Sequence, residues 1–327
     1  MPDYHGFNIA DSDFSQSALK WKKEFLLLPV LALQDSTKYM TGMPGVRYMQ
    51  KLGAYASEAQ FAPYKKDRTS AGSTTIDYRD VKTYFGNVVE EFDPNEFITT
   101  ILGENSGKLG DQLKTAEITR LVIASIMKSL GEKINEHLWD AEYDASGDTT
   151  ATLFDGFGKI IADEIEAEKI SVANKNYLEL DEEITSANAQ DIAKEIEFGL
   201  DTRLRHQEHF LFCSQDFADK YNESYLLSHS GLIYNDKYEQ TVVEGSNRKM
   251  TLAPLACMDN ADYFFVAPKS NVLYAYDNMS DIEKIQVDRF APFVLTLSAA
   301  MFFGVQFRTL DYRMLKVVKL FSESEGD

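Results

Sequence analysis

The residue types best suited to chemistry lie together just before the middle of the chain. Leu153-Phe154-Asp155-Gly156-Phe157-Gly158-Lys159-Ile160-Ile161 sets two glycines and a lysine beside an aspartate. That is the composition of a loop whose backbone N–H groups cup phosphate. A nucleotide loop, however, needs four residues between its first glycine and a Gly-Lys-Ser/Thr triplet. Here only Phe157 separates the glycines, and Ile160 stands where a hydroxyl would hold magnesium. The dinucleotide fingerprint needs a third glycine at the place of Ile161, so neither pattern closes. The stretch instead predicts a structural turn. Gly156 and Gly158 are expected to take positive φ, with Phe154, Phe157, Ile160 and Ile161 anchoring the reversal.

Other candidates fail on spacing. His206 and His209 stand three apart with Glu208 between them, a separation that could share a metal on one helix. The segment nonetheless hands a helix over to a strand, and the zincin pattern needs four-residue spacing. Both rings are expected to be exposed at a helix end. No Gly-x-Ser-x-Gly elbow occurs, and neither Cys213 nor Cys257 lies in a catalytic context. Carboxylate pairs such as Glu90-Glu91, Asp163-Glu164 and Asp181-Glu182-Glu183 follow from an acidic composition. No catalytic, cofactor or metal residue is assigned, and the expectation is that the chain is not an enzyme.

Composition narrows the function classes. With 52 acidic and 33 basic residues the net charge is −19, a surface that repels a nucleic-acid backbone unless its bases cluster. The densest cationic run is only Tyr64-Lys65-Lys66-Asp67-Arg68. No apolar run is long enough to span a membrane, and two cysteines make no disulfide framework, which fits synthesis in a reducing cytosol.

The elements that would position any site read as a mixed α+β chain. Residues 1–60 look like an extended arm with a short helix over 15–28 that Pro29 ends. Residues 61–100 are rich in β-branched and aromatic residues. Thr74, Ile76 and Tyr78, then Val81, Thr83 and Phe85, predict two strands of a long hairpin. Such a hairpin has no core of its own and must lean on a neighbour. Ile118, Leu121, Val122, Ile126, Leu130, Ile134 and Leu138 recur at helical spacing and predict a helix over 115–139. A strand-like "ISVAN" at 170–174 and a helical stretch at 187–206 follow. Next come "FLFCS", a helix capped by Ser214, and late strands running to 321.

The order of these parts resembles the major capsid proteins of tailed bacteriophages, the Hong Kong 97-type fold shared with encapsulin shells. The likeness rests on "MPGVR" before the hairpin, "EEFDPNEFITTIL" after it, and "LFDGFGKII" following the long helix. "FLFCSQDFADKY" and "APKSNVLYAYD" extend it, so that it runs from about Pro44 to Leu320. It implies an N-terminal arm over 1–60 and an E-loop hairpin with its base over 61–100. It further implies a peripheral domain from 101–179 and 284–327 with a spine helix at 115–139, and an axial domain over 180–283. Inter-subunit contacts would then come from Arg68, Tyr78, Val81, Tyr84 and Phe85 of the hairpin and from Trp21 and Phe25 of the arm.

Function would follow through interfaces. The resemblance implies hexamers and pentamers of an icosahedral head, assembled in the host cytoplasm and carried in the virion. The shell would enclose double-stranded DNA without sequence-specific binding, and an acidic inner wall would keep that DNA from adhering. No pro-region is visible, so a separate scaffolding protein is expected, with a portal and decoration proteins as further partners. No cofactor and no membrane are implied. The alternatives are an encapsulin-like compartment or, further off, a soluble acidic hydrolase or binding enzyme. Deleting 70–88 is expected to abolish assembly while sparing the rest of the fold.

Overall fold

The computed structural model describes residues 33–57, 63–66, 74–92, 115–228, 241–277, 285–291 and 294–321, with Pro29 and Phe61. Trp21, Phe25, Arg68 and the helix expected over 15–28 fall outside the described residues.

One long strand organises the first of two five-stranded sheets. In β11 (Val294–Phe307) alternate residues face opposite ways, and Leu295, Leu297 and Ala299 are buried on one face. β4 (Tyr84–Phe92) runs antiparallel along one edge of β11, from Leu295↔Phe92 to Phe303↔Tyr84. Along the other edge, β10 (Ile285–Ala291) pairs with the first part of β11 and β9 (Val272–Tyr276) with the last. β1 (Thr41–Pro44) adds parallel to β9, and α1 (Gln34–Thr37) precedes it.

The helix expected over 115–139 is α2 (Thr115–Glu136), continued by a turn through residues 137–140. Val122, Ile123 and Met127 cover Leu295, Leu297, Ala299, Phe92, Ile285 and Val287 in one apolar cluster. The helical spacing thus finds its counterpart in the two-residue period of β11.

The second sheet runs β5 (Tyr177–Glu179), β12 (Lys316–Lys319), β8 (Tyr263–Ala267), β6 (His209–Cys213), β7 (Met250–Pro254). Helices α4 (Ala189–Phe198) and α6 (Gln215–Ser228) pack beside it, and α5 (Thr202–Arg205) leads into β6. Ser214 Oγ accepts from the Phe217 amide at 3.2 Å, the cap expected from sequence. An aromatic chain ties the two sheets together. Phe212 stacks on Phe265 at 4.4 Å, and Phe265 meets Phe307 edge-on at 5.2 Å. Phe157 lies 5.1 Å from Phe307, and Trp139 is parallel to Phe265 at 6.2 Å. One continuous core therefore serves both sheets.

Several expectations are corrected. Residues 170–174 form turns, and the strand begins at Tyr177. The sheets themselves do not follow chain order. β12, in the tail, joins the second sheet, whereas β9, within 180–283, joins the first. The hairpin is displaced in sequence as well. Its strands are β2 (Met49–Ser57) and β3 (Thr74–Lys82), paired from Met49↔Lys82 to Ser57↔Thr74. Residues 74–82 form one continuous strand, and the next strand leaves the hairpin at Thr83 to join β11. Over 78–83 exposed and buried residues alternate, but the partner of β4 lies more than two hundred positions away. Deleting 70–88 would therefore remove half of β4 as well as the hairpin.

Candidate functional site

The glycine stretch is structural, for a reason other than the one its sequence suggests. Gly156 is the N-cap of α3 (Phe157–Glu166) with φ −76°, and neither glycine takes a positive φ. What requires glycine is close approach. A Cβ on Gly156 would lie 2.6 Å from the Trp139 carbonyl oxygen, and one on Gly158 2.9 Å from it. Amides at the start of α3 donate into the turn that ends α2. Gly156 N–H donates to Ala141 O at 2.8 Å, Phe157 N–H to Leu138 O at 3.0 Å and Gly158 N–H to Trp139 O at 2.9 Å. The free donors of a helix start and the free acceptors of a helix end satisfy one another. Lys159 is held by Glu142 at 3.1 Å and Asp163 at 3.0 Å. Amides and lysine alike are already partnered within the chain.

The histidines separate. His206 is exposed, whereas His209 is wholly buried, which corrects the expectation of two exposed rings. Its Nε2 lies 2.9 Å from Glu197 Oε2 and its Nδ1 2.9 Å from Gln207 O, while Arg205 Nε donates to Glu197 Oε1 at 3.2 Å. Glu197 is thus a buried anchor between α4 and β6. No cluster of three metal-ligating side chains occurs among the described residues. Burial pushes the Cys213 thiol well up and the Cys257 thiol up to about 12, so neither supplies a thiolate near neutrality.

The surface around the hairpin has a different character. The ribbon contributes little to the core: Val81 is buried with Val46, Leu273 and Ala275 at its root, while Tyr78 is 63% exposed. Val81 thus spends its side chain inside its own chain. Arg79 clamps the root. Its Nη2 donates to Glu164 Oε1 at 2.8 Å and to Gln306 Oε1 at 2.9 Å, and its Nε to Phe307 O at 3.1 Å. Lys169 Nζ sits 2.9 Å from the other oxygen of Glu164. Close approach recurs where β3 crosses β11: a Cβ on Gly304 would lie 2.1 Å from Lys82 O.

Tyr84, at the start of β4, turns inward. Its hydroxyl donates to Asp155 and its ring stacks on Tyr143 at 4.1 Å. Burial, then Asp155, pushes its phenol far above the ordinary range. Phe85 faces outward, half exposed, and with Tyr48 flanks Phe302 at 4.8 and 4.9 Å. Tyr48, itself exposed, holds a left-handed φ of 62°. Between β2 and β3, Phe61 and Tyr64 are almost completely exposed. Neither stood among the expected contacts, although aromatics inside a polar connection are a readable signal. Tyr78, Phe85, Tyr48, Phe61 and Tyr64 thus leave apolar surface exposed on the ribbon and near its root.

No sequence-family model and no curated protein sequence matches the chain. Solved structures do. The chain superposes on a protein of the satellite phage P4 procapsid with a TM-score of 0.53 and 10% identity, covering 89% of this chain and 97% of that one. It superposes on a cyanophage A-1(L) capsid protein with a TM-score of 0.53 and 12% identity, covering 90% and 93%. It also superposes on a capsid protein of the native GTA particle at 0.51 and 9% identity, covering 89% and 91%. Nearly whole chains correspond, so the chain shares the fold of these capsid proteins.

Proposed function

We propose that the chain is a shell subunit, the major capsid protein of a tailed-phage-type head, closing as hexamers and pentamers around double-stranded DNA. The observation that carries this reading is the β2–β3 ribbon. Val81 and Arg79 are buried at its root, Tyr78 beside them is exposed, and Phe61 and Tyr64 are bare in its connection. A two-stranded ribbon without a core is marginal in water and gains burial only from another surface. The likeness of fold to capsid proteins makes a second copy the natural source of that surface.

Head-to-tail contacts of this kind close into rings. Each one can be weak, because a subunit gripping several neighbours benefits from effective concentration. The −19 charge suits a container rather than a nucleic-acid binder. On this reading the protein resides in the virion after assembly in the host cytoplasm, with scaffold, portal and decoration proteins as partners.

The test replaces the connection 58–73 by Asn-Gly in the full chain and compares assembly with the parent, with and without the neighbouring scaffold gene. Sizing and negative-stain microscopy should show closed particles for the parent and free subunits of unchanged melting temperature for the variant. A parent that stays monomeric in every condition sinks the shell reading. Particles that hold a protein cargo and no DNA move the chain to an encapsulin-like compartment.

A further inference from the structure

The second sheet is polarised in charge along its strands. β5, β12, β6 and β7 run one way and β8 the other, so Tyr177, Lys316, His209, Met250 and Ala267 lie at one end. The connections there carry Lys175 before β5, Arg203 before β6, and Arg248 and Lys249 before β7. Arg308, on the way to β12, is tied to the same end by its amide, which donates to Asn271 O at 2.8 Å. Among the described residues none of these cations has a carboxylate partner, and all but the partly buried Lys249 are exposed. Nearby carboxylates are engaged elsewhere. Asp201 accepts from the Arg203 amide at 2.9 Å, Asp311 from the Arg313 amide at 2.9 Å, and Glu244 holds Lys194 at 3.0 Å, while Glu208 is exposed among them. Arg248 also holds a left-handed φ of 62°, where glycine costs less, so the turn itself gives no reason for arginine.

The opposite end has the opposite sign. Asp181, Glu182 and Glu183 follow β5, and Asp259 and Asp262 stand between β7 and β8, all of them exposed. The lysines near them are taken, Lys319 by Glu179 at 2.9 Å and Lys220 by Asp216 at 2.8 Å. Strands spaced about 4.8 Å apart make a five-stranded sheet roughly 19 Å wide, and both rows run from β5 toward β7 across it. A duplex nucleic acid extends past so short a row and meets the acidic remainder of a chain of net charge −19. A second copy of this chain instead brings a row of opposite sign and matching width.

We propose that the cationic end of the second sheet docks on the anionic end of the same sheet in another copy of the chain. The contact rests on the shell reading for its partner and deepens it by naming both faces. Because the two faces differ, the contact is heterologous, and its repetition closes a ring when the rotation allows. No single pair in it need be strong, since exposed charges act by steering the encounter and excluding wrong registers.

Charge reversal in the full chain tests it, read by sedimentation velocity and negative-stain microscopy with and without the scaffold. At about 0.1 M salt, where charges interact over about 10 Å, the parent should associate, and it should do so less as salt rises towards about 1 M. Arg203→Glu with Arg248→Glu should weaken association on the order of tenfold. Glu182→Lys with Glu183→Lys should weaken it as much, although that chain is less negative than the parent and general repulsion predicts the reverse. Combining both pairs restores the parent's net charge and the complementarity of the two ends, and association should recover. Recovery also shows that each pair of substitutions leaves the fold intact. Parent-like association in either singly reversed chain overturns the proposal, and closed particles formed by that chain leave the shell reading standing. So does a combined chain that keeps its fold by circular dichroism and fails to recover. A parent that never associates overturns both readings. A short DNA duplex that binds the parent and is lost with Arg203→Glu and Arg248→Glu, while association is unchanged, overturns the proposal and reassigns the cationic row to nucleic acid.

Discussion

The second sheet and the β2–β3 ribbon are built from similar residue types and are held in opposite ways. The sheet buries Phe212, Phe264 and Phe265 completely, or nearly so, and links through Phe307 to the first sheet. The ribbon buries Val81 and most of Arg79 at its root and leaves Tyr78, Phe61 and Tyr64 in solvent. One region is stable through what it hides. The other is placed by a few polar contacts and leaves apolar side chains exposed. Aromatic content alone therefore does not separate core from surface, whereas attachment does.

Five substitutions and one titration can break or sharpen this contrast. Phe265→Ala removes the ring shared by Phe212, Phe307 and Trp139 and should cost about 3–5 kcal/mol, read as a collapse of the denaturant midpoint for the whole chain. Arg79→Met leaves Glu164 with Lys169 alone. Breaking a buried pair costs about 3–5 kcal/mol when nothing compensates, and roughly 2 kcal/mol is expected here because Lys169 remains. That loss should appear as faster amide exchange in β3 with little change in the global melting temperature. Equal loosening of both sheets would show that the ribbon is part of the core.

Gly156→Ala drives a methyl onto the Trp139 carbonyl and should cost about 1–3 kcal/mol, measurable by thermal melting. Phe61→Ser and Tyr64→Ser should change the stability of the free subunit by less than about 0.5 kcal/mol, yet prevent particle formation in the assembly assay. A large loss of subunit stability would reassign both residues to the core.

The smallest effect is alkaline. Cys257 titrates at about 12 in the folded chain against 9.0 ordinarily, and Cys213 is pushed up too. Above the ordinary value the unfolded chain releases protons that the folded chain keeps, so stability falls as pH rises from about 9 toward 12. Replacing both cysteines by alanine should flatten that slope.

Legibility in the sequence followed the range of the interactions. α2 was readable because Val122, Ile126, Leu130, Ile134 and Leu138 carry its period locally, and Ser214 announced its helix by its own side chain. The true partner of β3 was not readable. β2 contains Gly53, Ala54 and Ala56, which give a weak strand signal, and β4 takes its partner from the far end of the chain. Gly156 and Gly158 were recognised as structural, but their cause lies in a carbonyl seventeen positions or more upstream, which no local pattern displays. Burial of His209 likewise depends on Glu197 reaching it from α4. Among the expected contacts, Tyr78 and Phe85 lie on the surface, while Val81 and Tyr84 are engaged within the chain.

The splice between α2 and α3 has a mechanical consequence. Three N–H···O bonds connect the two helices within four residues, from Leu138 to Ala141. A pull directed along α2 loads these bonds together rather than one after another, so the joint must shear as a unit. Tension on the longest helix of the described chain is thereby handed to α3, whose Glu164 grips Arg79 at the ribbon root. The chain contains a stiff path from α2 to the β2–β3 ribbon, and strain at either end would be felt at the other.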